Sequence, residues 1–135
     1  MSEVAKTNFL FSREQLPDGF QYPDLFLKTI EGSEHTDIEP WWFLCVQRET
    51  ALFWLKSLKA QYPDRTLVPF AKIEDTDDVA CFDGCDISGN PVVKYVHAFA
   101  SVGWEDRGEA RDFASWLLEA RELSKEWREQ RSTDA

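Results

Sequence analysis

Between Glu49 and Tyr62 the side chains of Ala51, Trp54, Leu55, Leu58 and Tyr62 recur at intervals of three and four. That spacing sets them on one face of a helix. Pro63 stops it by removing a backbone donor, and YPDR turns the chain. Beyond the turn the period falls to two. TLVPFAKI, DVACF and PVVKYVHAFA read as successive strands. In the last of these, Val93, Tyr95, His97 and Phe99 share one face, and Val92, Lys94, Val96 and Ala98 the other. Pro69 removes one ladder donor from the first strand, which predicts an edge position or a bulge there. The intervening DGCDISGN, with its glycines and asparagine, reads as a wide hairpin connection.

The flanks are less regular. LPDGFQYPDLFLKTIEG suits a short helix from about Asp24 to Glu31, EGSEHTDIEP a polar loop, and PWWFLCV a short buried strand. After SVGWEDRG a closing helix is expected. Ala110, Phe113, Leu117, Ala120 and Trp127 form its stripe, widened by Trp116 and Leu123. Asp106 followed by Glu109 predicts a start resembling a capping box. Helix, three strands, then helix is an α+β pattern: a mainly antiparallel mixed sheet with helices packed around it, in a single domain. Residues 1–135 fit one domain, with an ordered core from about Phe9 to Trp127 and a frayed EQRSTDA tail.

Charge narrows the choice of partners. A net charge of −10 opposes binding to nucleic acid and to anionic membrane surfaces, so a charge-driven partner is expected to be basic. The start MSEVAKTNF lacks the apolar core of a signal peptide, and no apolar run approaches the roughly 20 residues that span a bilayer. Three cysteines leave one unpaired whatever the pairing. These features predict a cytoplasmic protein with reduced thiols: Cys45 and Cys81 as small buried hydrophobes, Cys85 exposed. The oligomeric state is not legible.

The candidate chemistry centres on IEDTDDVACFDG. Glu74, Asp75, Asp77, Asp78 and Asp83, with Asp86 just beyond, carry six negative charges, and no basic residue lies between Lys72 and Lys94. A calcium loop of the EF-hand type fails, because Val79 and Ala80 stand where an acid and a glycine are required and the flanks read as strands. Cys81 and Cys85 form one loose pair where structural zinc sites use two, with His35, Cys45 and His97 elsewhere. No G-x-S-x-G, H-E-x-x-H, Walker or dinucleotide motif is present. Neither a catalytic residue nor a cofactor or metal site is therefore assigned. His97 is expected as a half-buried strand residue, His35 as a loop residue. Trp41 and Trp42 adjoin in one strand and must point to opposite faces. Trp104 lies in VGWEDRG beside two acids and is a candidate interface residue, since tryptophan is enriched at hot spots. On the residues alone three readings stay open: a protein-binding surface, a scaffold whose acidity serves solubility, and a metal-dependent site on the acids.

The segments LVPFAKIEDTDDVACFDG and GNPVVKYVHAFASVGWEDRGEARDFASWLLEA resemble the SUKH superfamily, in the branch named after the fungal cell-wall assembly regulators. The likeness runs from about Leu16 to Ala120. This chain has Glu31-Gly32 where many members carry an Asn-Gly turn. The resemblance implies an α+β fold with no catalytic motif. Bacterial members look like immunity proteins that neutralise partner toxins, many of them nucleases, and fungal ones like signalling scaffolds. The expectation is thus a protein-binding module, with Glu74, Asp75, Asp77, Asp78, Asp83, Asp86, Trp41 and Trp104 as contact residues and a basic protein as partner.

Overall fold

The computed structural model describes residues 8–31 and 38–134; His35 and most of the EGSEHTDIEP loop lie outside them. The elements run α1 (Asp24–Glu31), β1 (Trp41–Phe43), a 3-10 turn (Leu44–Val46), α2 (Arg48–Gln61), β2 (Leu67–Ile73), β3 (Asp78–Asp83), β4 (Val93–His97), β5 (Asp106–Ala110) and α3 (Phe113–Asp134). The five strands lie in sequence order, and every neighbouring pair is antiparallel. The fold is α+β.

Helices cover both faces of this sheet. Trp41 and Phe43 pair in register with Ile73 and Ala71, and both rings meet Trp116 of α3. Lys72, between those partners, turns to the other face, where its ammonium lies 5.6 Å from the Trp54 ring of α2. On the α3 side Phe26, Phe70, Phe82, Phe113 and Trp116 interlock, with the Phe70 and Phe82 rings stacked 4.2 Å apart. All five are buried. Truncating any one of these rings to alanine costs about 3–5 kcal/mol. The six tryptophans and ten phenylalanines thus build much of the core, as their number required.

α1 and α2 fall where the apolar spacing put them. The buried face of α2 is Ala51, Trp54 and Leu58, and Tyr62 just beyond it is buried too. Pro69 sits at a register shift in β2, an interior strand, so its missing donor is absorbed by a bulge and not by an edge. Other expectations are corrected. PWWFLCV is extended only over Trp41–Phe43 and then winds into the 3-10 turn. Val93, Tyr95 and His97 share a face, but β4 ends at His97. Phe99 has φ 67° and its ring packs 5.9 Å from Trp54, on the α2 side.

The segment DRGEA is a strand and not the first turn of the closing helix. Lys94 pairs across to Glu109 at 2.7 Å, and only Ala110 is buried. An outer strand with one face in water needs no apolar alternation, and exposed charges discourage pairing with another chain. The cap of α3 is consequently Asp112, whose Oδ1 accepts the Ser115 amide at 2.9 Å. Phe113, Trp116, Leu117, Ala120 and Ser124 are buried, whereas Leu123 is exposed.

Candidate functional site

The six acids do not form one patch. β3 is about 17 Å long at strand rise, and it separates them. Glu74, Asp75, Asp77 and Asp78 lie on the β2–β3 hairpin at one end of the sheet, and Asp83 and Asp86 lie at the other. The six acids expected as contact residues thus divide between the two ends of the sheet.

Asp83 and Asp86 are occupied in building their loop. Asp83 Oδ1 accepts the Cys85 amide at 3.0 Å. Asp86 accepts the Ser88 amide on Oδ1 at 3.0 Å and the Val92 amide on Oδ2 at 3.1 Å. Hydrogen bonds from the Ser88 hydroxyl and amide, with that from Val92, hold the Asp86 carboxyl below the ordinary aspartate range against the cost of burial. Aspartate closing a turn through its own side chain is reason enough for both residues.

At the other end the hairpin is rigid. The Glu74 amide donates to the Pro40 carbonyl at 2.9 Å, and the Lys72 ammonium donates to the carbonyls of Thr76 and Ile73. Asp75 stands at φ 72°, a conformation that aspartate tolerates better than most side chains. Asp78 Oδ1 meets His97 Nδ1 at 2.8 Å across the β3–β4 ladder. The expected half-buried histidine is therefore a hydrogen-bond partner on the rim of the acidic turn.

Beside this hairpin lies the β4–β5 loop, residues 98–105. The Ala98 amide donates to the Asp77 carbonyl at 2.9 Å, and the His97 amide to the Glu105 carbonyl at 2.8 Å. The end of α2 and the segment after it strap the loop down. Gln61 Oε1 accepts the Phe99 amide at 2.5 Å, and the Tyr62 hydroxyl donates to the Ala100 carbonyl at 2.8 Å. Arg65 Nη1 donates to Glu105 Oε2 at 2.9 Å, while Glu105 Oε1 accepts the Gly103 amide at 2.7 Å. Glu105 is only 6% exposed. Burial opposes its ionisation, yet the backbone donors and the Arg65 guanidinium outweigh that and hold its carboxyl below the ordinary glutamate range. Burial and the nearby Glu105 charge raise the Tyr62 phenol.

The strapped loop displays its apolar side chains outward. Trp104 is 76% exposed, Val102 77% and Phe99 60%; Phe53, which meets Trp54 beside Phe99, is also exposed. An aromatic at positive φ together with solvent-facing Val and Trp is local strain and apolar exposure held in place by the partly buried Arg65–Glu105 pair. Trp104 is therefore accessible at the surface.

Trp41 is not. It is 5% exposed and packs at 5.5 Å on Trp116, because the alternation of β1 aims it at α3 and leaves Trp42 on the opposite face, half-buried. Cys45 and Cys81 are buried and Cys85 is exposed, all three as free thiols, and burial pushes Cys45 up to about 12. Among the described residues no three histidine, cysteine, aspartate or glutamate side chains converge to hold a metal ion, and no helix is long and apolar enough to cross a membrane. Glu105, Arg65 and Tyr62 were not foreseen as functional; nothing in SVGWEDRG distinguishes the buried acid from the exposed one after it.

No family model, curated protein or solved structure matches the chain.

Proposed function

We propose that this chain is a non-catalytic protein-binding module. It would engage a basic partner in the manner of the bacterial immunity proteins of the SUKH type that its sequence resembles, with a nuclease-type toxin as the target class. The carrying observation is the juxtaposition, through the Ala98–Asp77 hydrogen bond, of an acidic turn with a preorganised loop that exposes Trp104. Acids on the rim accelerate encounter and select basic surfaces. A rigid aromatic anchor beside them supplies short-range affinity at small entropic cost. Binding would occlude the partner, and no bond is made or broken by this chain.

The test is partner capture with four tagged forms: the native chain, Trp104→Ala, a variant with Asp75, Asp77 and Asp78 changed to Asn, and a control with Asp83→Asn. One basic protein retained by the native chain and the control, and lost from the other two, supports the proposal. A partner held equally by all four, without salt dependence, points to a scaffold that binds elsewhere.

A further inference from the structure

We propose that a cavity at the β1 edge of the sheet, beside the acidic hairpin, receives an arginine side chain from the protein partner; this deepens the preceding proposal and rests on it. The cavity measures about 540 Å³ and is lined by Glu39, Glu74, Asp75, Trp42, Trp127 and Arg131, with Trp41 and Ile73 among its remaining walls. Three carboxylates face one base, so the site carries a surplus of negative charge.

Among the described residues, Lys72 does not cancel this surplus. Lys72, the base nearest the hairpin in sequence, donates to the Ile73 and Thr76 carbonyls and lies against Trp54 on the opposite face. The wall is also fixed, since the Glu74 amide is tied to Pro40. The chain itself demonstrates the preferred guest: the Arg131 guanidinium lies 4.6 Å from the centre of the Trp127 ring. Indole faces favour a cation, and best a flat one, while carboxylates fork onto the five donors of a guanidinium. A neutral or anionic guest would desolvate these carboxylates with no return.

The probe is acetyl-arginine amide, titrated into the intact chain while the indole N–H resonances of Trp42 and Trp127 are followed. Saturable shifts are expected at about millimolar concentration, the range open to one side chain. Acetyl-citrulline amide, of like shape without charge, should give none. Combining Glu74→Gln with Asp75→Asn should weaken binding about tenfold, as loss of two attractive charges implies. Asp83→Asn, at the far end of β3, should leave it unchanged. No saturable shift, an equal response to citrulline amide, or an unaltered titration in the acid variant would each overturn the assignment. So would tighter binding of free arginine than of the blocked amide, which would mark a free metabolite as the guest. Because the probe is a single blocked amino acid, its failure leaves the capture experiment above standing, and failure of that capture leaves this titration readable.

Discussion

The amide of Ala98 donates to the carbonyl of Asp77 at 2.9 Å, so the turn that carries the negative charge and the loop that carries Trp104 are joined directly. Neither segment alone makes an interface. The turn has charge without buried area, and the loop has apolar area without long-range attraction. Their connection through one backbone hydrogen bond, beside the Asp78–His97 hydrogen bond, produces a surface that is acidic on one side and aromatic on the other.

The division of the acids between the two ends of β3 separates their roles. Changing Asp75, Asp77 and Asp78 to Asn should slow association with a basic partner and flatten its dependence on salt, since rim charges act mainly on encounter. Asp86→Ala should do the reverse. It removes acceptors for two backbone amides and should cost about 1 kcal/mol of stability while leaving association unchanged. Stopped-flow binding at two ionic strengths, with urea unfolding of each variant, separates the effects. An Asp86 variant that binds slowly and unfolds normally would refute the division.

Trp104 makes few contacts to lose, being 76% exposed. Trp104→Ala should change folding stability by less than about 0.5 kcal/mol, as for surface positions in general. It should weaken partner binding by about 2 kcal/mol, roughly thirtyfold, as for a central aromatic anchor. Calorimetric titration beside thermal unfolding reads both quantities, and the opposite pattern would make this tryptophan a structural cap.

Much of the fold was legible because apolar periodicity is a packing signal. α1 begins and ends at Asp24 and Glu31 as the pattern predicts, and α2 differs by one residue at each end. What was hidden lacked such a signal. DRGEA is a polar outer strand with one buried alanine, so no alternation betrays it, and Gly108 at φ 103° helps shape it. The acids were visible, but the strand that parts them was not weighed as a distance. The turn sequence around Trp104 placed it beside charge, and its exposure is read from the fold. Its straps, Tyr62 and Arg65, are brought in from more than thirty residues away in sequence and only the fold could reveal them.

The correction at the start of α3 carries its own test. Asp112→Ala removes the acceptor for the Ser115 amide and the Asn90 side-chain contact at 3.2 Å, and should destabilise the protein by about 1 kcal/mol. Asp106→Ala and Glu109→Ala, which a capping box at that point would have made costly, should each stay within about 0.5 kcal/mol. Urea midpoints at constant m-value decide between the two starts.

Glu105 predicts a pH dependence with a definite sign. Its folded carboxyl titrates below the ordinary value of 4.5, so ionised Glu105 stabilises the folded chain. That contribution is complete above 4.5 and is lost as pH falls through the lower folded value, where the carboxyl takes up a proton and the Arg65 pairing weakens. With side-chain exposures of 24% for Arg65 and 8% for Glu105, the pair lies between surface and interior cases, and Glu105→Gln should cost about 2 kcal/mol at neutral pH. The variant should lose part of the acid-side decline expected of the native chain. Because Glu105 also holds the Gly103 amide and is paired with a residue that follows α2, the same substitution should loosen residues 98–105. Hydrogen exchange should then rise at the Phe99 and Trp104 amides while the β2–β3 ladder stays protected. Equal exchange in both chains, with the acid-side decline intact, would mean that the loop is held by Gln61 and Tyr62 alone.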